Sequence, residues 1–504
     1  MAVDVTRKTR MAITEETAGV PVAPSAGTDY LAVQDGLTLT PGLETLTNDE
    51  LKASIGKSKS ILGNEQPEGS LTHYVYHSGT EGALPEMHLL LKGAFGSHSL
   101  AATEYTVVSA TVGSTSAPAT ITVGGGLGAN FERGEAVLIK FGSGFIIRCI
   151  ESISTDTLTL NFNLSTVTGI AGVGLGKAVL YKPSSTDSLP DLTVWDYRGN
   201  GAAVQMMSGA KVSEMSMTAE AGSLINADFS LSGTAFYFDP IQITATSDTI
   251  DFTDDGGSVT ATLTVGFFKD PHDAAAALAT AMTAASVGSG DQVVSVSYSN
   301  STGLFTVSGT GAVLDIDWAT TVDTLGAKFG FTADDASAVT YTSDVVIGLT
   351  SPQSPVLSGQ DPLVAKNNTV FLGSYYDNSC FPANSITFTI SNELADIKTI
   401  CATSGIREKL ATSRDVSVEI TAVLDKYRAE EFKRYRLNEE TTFMYAFGPK
   451  SGNSYVAGKS GALYIPRCTI TAFELSDLEG AVAMTMTLTA YTESGEAEAY
   501  FNFI

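Results

Sequence analysis

The chain has 504 residues and carries 29 Lys and Arg against 55 Asp and Glu, a formal charge of −26. An acid excess of this size argues against tight binding to a phosphate backbone, which needs clustered cations, while 43% hydrophobic residues argue against wholesale disorder. No apolar run reaches the roughly 18–20 residues of a membrane helix, and Met1–Thr14 lacks the apolar stretch of a secretory signal. Four cysteines (149, 380, 401 and 468) with no C-x-x-C pair make neither a disulfide framework nor a structural zinc site, which makes a reducing cytoplasm the expected place of folding. A prior of about 150 residues per domain gives roughly three domains.

In chain order, residues 1–103 read as an irregular arm, a long loop and the start of a β core. The loop Gly42–Gly69 is polar and has no clear period. It sets Lys52, Lys57 and Lys59 beside acids, and loops of this length in compact proteins are often functional. Residues 104–183 carry short strands such as Ala136–Ile139 and Leu158–Phe162 between glycine-rich turns, which fits a small barrel. Residues 184–239 hold a two-faced hairpin: Met215, Met217 and Ala219 face one way and Glu214, Ser216, Thr218 and Glu220 the other. After the Gly222 turn, Ile225, Ala227, Phe229 and Leu231 alternate with Asn226, Asp228, Ser230 and Ser232.

Residues 240–350 read as a separate α+β insert. The turn Asp254–Gly257 joins two strands, Asp270 caps an Ala-rich helix with Pro271 at its first position, and Gly288 stops it. Thirteen aspartates against Lys269 and Lys328 suit a solvated, outward-facing module. In residues 351–504, Ile386, Phe388 and Ile390 alternate with Thr387 and Thr389. Val416, Val418 and Ile420 alternate with Ser417 and Glu419, and Met484, Met486 and Leu488 alternate with Thr485, Thr487 and Thr489. A helix over 425–437 has near-balanced charge and an apolar side of Tyr427, Phe432 and Tyr435. The hairpin-rich stretches 190–238 and 383–424 suggest an internal repeat. The fold class is all-β: two packed antiparallel sheets with a flanking helix, plus a small barrel insert and an α+β insert.

Catalytic and metal motifs fail on context. His73 and His77 lie in a β-like run without the helical Glu of a zinc protease. Asp251, Asp254 and Asp255 lack the final acid of a calcium loop, Thr262 standing there. Gly124–Gly128 is followed by no Lys-Ser/Thr and no helix, so it reads as turns rather than a phosphate cradle. There is no G-x-S-x-G elbow. The expectation is no enzyme, no catalytic residue, no metal and no cofactor.

Several segments together resemble the major tail tube protein of long-tailed, siphovirus-like phages. They are Leu51–Gly63 through Gln66–Ser70, Leu89–Gly96, Leu192–Gly199, Gly209–Ser216 with Gly222–Gly233, Ile386–Asn392, and the run from Arg414. The resemblance covers the core segments, about half of the chain, and departs from the basic tube fold at both inserts. It implies a structural virion protein whose copies form a ring, usually six-fold, with hairpins joined into one barrel, and whose rings stack into a hollow tube through which DNA passes unbound. The lumen would be lined by Glu214, Ser216, Thr218, Glu220, Asn226, Asp228, Thr387, Thr389, Ser417 and Glu419. The contact between rings would use Leu51, Lys52, Lys57, Lys59, Glu65 and Glu68. Implied partners are further copies of the chain, a tape measure, a tail terminator and baseplate or tail-tip proteins, with no membrane. The protein would be assembled in the host cytoplasm and reside in the virion tail. The alternatives are a phage or cell-surface adhesin, with Trp318, Phe329 and Phe331 as anchors on its β insert, and a polysaccharide-degrading β enzyme.

Overall fold

The computed structural model describes residues 9–504 apart from 18, 35, 51–55, 101–103, 142–143, 166–168, 177, 185–188, 200, 319–324, 348–351, 356–358, 378, 425–428, 453 and 493–496. The elements that build the main body are β1 (Arg10–Glu15), β2 (Thr38–Thr40), β3 (Leu43–Leu46), β4 (Ile61–Glu65), β5 (Glu68–Tyr74), α1 (His88–Phe95), β6 (Leu192–Arg198), β7 (Ala203–Glu220) and β8 (Asn226–Ser232). They continue after the inserts with β9 (Thr369–Gly373), β10 (Ala383–Lys398), β11 (Ile406–Val423), α2 (Ala429–Leu437), β12 (Thr441–Phe447), β13 (Gly461–Leu478) and β14 (Ala481–Ala490).

Period-two alternation produces a front sheet with one greasy and one polar side. Its strand order is β2-β5-β8-β7-β10-β11-β14-β13, antiparallel throughout. Behind it lies a second layer in which β1 pairs with β6 and β6 with the first half of β7. On the other side of that layer β9 pairs with β12, and β12 with the first half of β13. The long strands β7 and β13 thus belong to both layers. In each, a shift in register marks the corner: between Val212 and Glu214 in β7, and between Ile470 and Ala472 in β13. Bulges bend a strand without ending it, so one strand serves two sheets.

The core fills the space between the layers. Met215, Met217, Phe229, Phe388, Val418 and Met486 come from the front, and Ile13, Val194, Phe443, Ile465 and Phe501 from the back. Helix α1 closes the gap with Leu90, Leu91, Ala94 and Phe95, and Phe95 stacks on Phe388 at 6.1 Å. This is the expected pair of antiparallel sheets with a flanking helix.

The two halves of the body repeat one another. The run β1, β2, β5, α1, β6, β7, β8 recurs, in order and pairing, as β9, β10, β11, α2, β12, β13, β14. The correspondence differs from the one suggested by the sequence. Residues 192–232 match 441–490, and 38–74 match 383–423, because the two insertions hide the true spacing.

Tyr105–Gly176 contains six strands that close into a barrel around Val107, Ile121, Val137, Ile139, Leu158 and Leu160. Its glycine-rich turn is held from inside: the Asp156 carboxylate accepts from Gly126 N–H and Gly128 N–H at 3.0 Å each, which fills the place a phosphate would take. The second insert has two three-stranded sheets and the helix Pro271–Ser286 around its own core. Asp270 caps that helix by accepting from Asp273 N–H at 2.8 Å. The insert leaves the body from the back layer, where Trp195 meets Phe267 edge-on at 5.6 Å, and not from the polar front.

Candidate functional site: the polar face and the two arms

All ten residues expected on a lumen lie on one surface, the polar side of the front sheet. Their neighbours follow from register. Asn226 sits opposite Thr218 and Thr218 opposite Thr387, which in turn faces Glu419. One row over, Asp228, Ser216, Thr389 and Ser417 form a second line across four strands. Glu214 and Glu220 flank these rows opposite Ser391 and Ser385. The opposite side of every one of these strands is buried, so the residues on show are fixed by the pleat and by nothing else.

The surface is wider than the ten residues. Ser70 and Thr72 extend it through β5, and Thr485, Thr487 and Thr489 through β14. Hydroxyls bridge the strands: Thr38 with Ser70 at 2.8 Å, Ser216 with Thr389 at 3.5 Å, Thr421 with Thr485 at 3.3 Å and Thr471 with Thr489 at 2.9 Å. Thr72 donates to Asp228 at 2.5 Å. The acids on this side are Glu68, Glu214, Glu220, Asp228, Glu393, Asp415, Glu419 and Glu474, and short of the arm at the far ends of β10 and β11 no Lys or Arg stands among the described outward residues of the paired segments. Hydroxyls and like charges leave this side with negative potential and, among its described outward residues, no cation to hold a polyanion.

The six residues expected between rings do not stay together. Leu51 and Lys52 lie outside the described residues. Lys57 and Lys59 are exposed just before β4. Glu65 is buried; it pairs with Lys269 and accepts from Phe236 N–H at 2.8 Å, so it ties the loop to the α+β insert within one chain. Glu68 belongs to the polar face, opposite Ser232. Gly69 takes an inward position there, which removes the apolar marker that would have shown the strand.

The loop itself contains the hairpin β3–β4, with Leu43 opposite Glu65. Leu43, Leu46, Ile61 and Leu62 are all exposed on it. The far ends of β10 and β11 form a second such arm: Asn392 faces Arg414 in the matching register, and Ile400 is fully exposed at its tip. The base of the first arm meets the second arm, with Glu65 N–H donating to Ser404 O at 3.0 Å and Gln66 Nε2 to Asp396 at 3.2 Å.

The other candidate chemistries dissolve in the geometry. His73 and His77 are buried on and just beyond β5, and burial pushes both below the usual imidazole range. Among the described residues no group of three metal-ligating side chains comes together. Asp254 serves the turn it was read in, accepting from Gly256 N–H at 2.8 Å and Gly257 N–H at 3.1 Å. Trp318, Phe329 and Phe331 are inside the insert's core, Trp318 stacked on Phe331 at 4.0 Å, and offer no anchor to a receptor. Helix α2 packs on β13 through Phe432 and Phe473 at 5.5 Å; residues 425–428 of the expected helix lie outside the described residues.

Residues 6–237 match the family model described as phage tail tube protein. That segment holds the first repeat unit and the barrel, and it ends where the α+β insert begins. A solved structure of the SPP1 tail tube is 16% identical over 27% of this chain and 76% of its own, with a TM-score of 0.20. A chain of the virion of a native gene transfer agent particle is 12% identical over 25% of this chain and 92% of its own, with a TM-score of 0.18. Among curated protein sequences, none matches.

Proposed function

We propose that this chain, whose residues 6–237 match the phage tail tube protein family model, polymerises as stacked rings into the hollow tube of a phage tail and lets DNA pass to the host. The observation that supports this reading is an amphipathic eight-stranded sheet that ends in open edges. Its inner side is a finished core, its outer side is acidic and hydroxylated, and β2 and the second half of β13 each have one described neighbour only. An open edge invites pairing, and a closed barrel removes it. Closure between copies turns the polar side into a water-filled bore.

Acidic walls repel phosphates at short Debye range, so a duplex slides without adhering. The arms, with Leu43, Leu46, Ile61, Leu62 and Ile400 exposed, lie beyond the end of the sheet and suit contact from ring to ring. The ends of such a tube would meet a tape measure, a terminator and tail-tip proteins, and assembly would take place in the host cytoplasm before the tail joins the virion. Electron microscopy of the purified protein tests the reading. Hollow, stacked rings are expected, and compact particles without a bore at any concentration would refute it.

A further inference from the structure

The internal repeat carries a specific statement about how copies join. The two units are not merely alike in order; their irregularities coincide. In the first, Leu192 faces Ala210 and Val194 faces Met207, with a register shift between them. In the second, Thr441 faces Cys468 and Phe443 faces Ile465, again with a shift between. The corner bulges of β7 and β13 follow at the same remove, since Val212 faces Leu231 and Ile470 faces Leu488. The helices match as well. Both end on a residue in the left-handed region, Gly96 at φ 88° and Asn438 at φ 49°, which sets Phe95 against Leu437 and Leu90 against Phe432. These coincidences fix residue equivalences: Leu39 with Phe388, through their partners Gly69 and Val418, and Met217 with Leu475, two places beyond Met215 and Phe473.

Inside the chain the adjoining edge strands of the two units pair in the front sheet, β7 of unit one with β10 of unit two, with Met217 opposite Phe388. At the outer edges, β2 and the second half of β13, these positions have no strand partner among the described residues, and beside β13 their exposure shows it. Met217 is 0% exposed, but its equivalent Leu475 is 62% exposed. Phe95 is 0% exposed against Phe388, but its equivalent Leu437 is 52% exposed. Phe432 and Tyr435, which lean on Phe473 of β13, are likewise exposed. An apolar strip in solution next to an open strand edge is an unfinished interface, and the chain contains its finished version.

We infer that the junction between units is repeated between chains, β2 of one copy pairing with the second half of β13 of the next, and that three chains close a ring of six units. This rests on the tube reading above and gives it a register. Transferring the internal pairs Thr387–Thr218, Phe388–Met217 and Thr389–Ser216 puts Thr38 opposite Ser476, Leu39 opposite Leu475, and Thr40 opposite Glu474 in the neighbour. The next copy's Leu39 would then cover Leu475 and Leu437, as Phe388 covers Met217 and Phe95. The contact is head-to-tail and closes only as a ring. Each chain brings eight strands. At a spacing of about 4.8 Å and a tilt of about 40°, 24 strands close at roughly 48 Å between opposite backbones, whereas two chains give about 32 Å, a porin-sized barrel. Side chains narrow each by about 10 Å, so three chains leave room for a hydrated duplex and two do not.

Cysteine cross-linking of assembled protein tests both register and number. In a background with Cys380 and Cys401 changed to serine, Thr38→Cys and Ser476→Cys together should give, on oxidation, a ladder of covalent species that stops at three chains. Each single variant should give none of it. Leu475 is exposed in the separate chain, so Leu475→Glu should leave the circular dichroism melt unchanged while ring formation falls at least tenfold. A ladder running to six, tubes whose double-cysteine variant never cross-links, or normal rings from Leu475→Glu would each overturn the inference. Failure of the wild-type chain to form any tube would instead sink the tube reading itself.

Discussion

The acidic insert and the acidic front face carry the same charge sign and use it in opposite ways. In the insert many of the carboxylates are consumed by the fold. Asp254 accepts from Ser286 Oγ at 2.6 Å, Ser289 Oγ at 2.8 Å and Gly290 N–H at 3.0 Å in addition to its own turn. Asp255 accepts from Ala312 and Val313 N–H, Asp335 from Trp318 Nε1, and Asp344 from Thr332. On the front face Glu214, Glu220 and Glu419 have neither a hydrogen bond nor an ion pair among the described residues. A net charge of −26 therefore overstates what a passing polymer would feel. Many aspartates of the insert are fasteners whose removal costs stability, and the face acids are surface whose removal, on the proposed tube reading, would cost function instead.

The largest expected effect sharpens that contrast. Asp254→Ala leaves five donors in a mostly buried site without their acceptor, and should destabilise the insert by about 3 kcal/mol, the upper range for a charge-assisted network. Calorimetry should show one transition lowered and the body's transition in place. Acid adds a second test. Burial pushes the Asp254 carboxyl up, but the bonds from Ser286, Ser289, Gly290 and Gly256 outweigh it and hold it at about 2. A depressed carboxyl contributes stability above its unfolded value near 3.9, and that contribution fades as pH falls toward 2. The insert should weaken in that window, and Asp254→Ala should abolish the dependence.

The body should respond at higher pH. Burial, then His98 and Lys92, hold His88 at about 4, beside the Tyr181 hydroxyl at 2.8 Å. Burial and Lys459 do the same to His77. A lowered imidazole contributes stability above about 6.5 that is lost as pH falls toward 4. Glu16 and Asp196, pushed up by burial, act in the opposite sense. The measurement is therefore the difference in melting between wild type and His88→Gln from pH 7 to 4. It should narrow on acidification, and a constant difference would refute the assignment.

Much of this contrast was legible where the pleat was regular. Met215–Ala219, Ile225–Leu231, Ile386–Ile390 and Val416–Ile420 each keep strict alternation, and each stands in the front sheet with the expected side out. Where the pleat is broken the signal fails. In β13 the bulge at Thr471 shifts the apolar phase from Ile470 to Phe473, so no single alternation runs through the strand. Glu68 was hidden by Gly69, and Glu65 by a partner, Lys269, two hundred residues away. The repeat was half visible because alternation marks strands but not their neighbours. Which hairpin corresponds to which is written in the pairing and the bulges, and these are tertiary facts.

The smallest effect on stability and the most direct test of the face is charge reversal there. Glu214→Lys, Asp228→Lys and Glu419→Lys alter exposed side chains whose backbone is fixed by neighbours on both sides. Each should change stability by no more than about 0.5 kcal/mol. Asp228→Lys should sit at the upper end, because Thr72 loses its acceptor. Rings and tubes should assemble at normal length, yet DNA should leave such tails more slowly, and the delay should shrink as salt is raised because the new attraction is screened over about 10 Å at 0.1 M. Ejection at the wild-type rate and salt dependence would mean these residues do not face the bore. Reversal in the insert at Asp248, which is not among its fastened carboxylates, should leave ejection unchanged. The two regions would then be separated by function as they already are by hydrogen bonding.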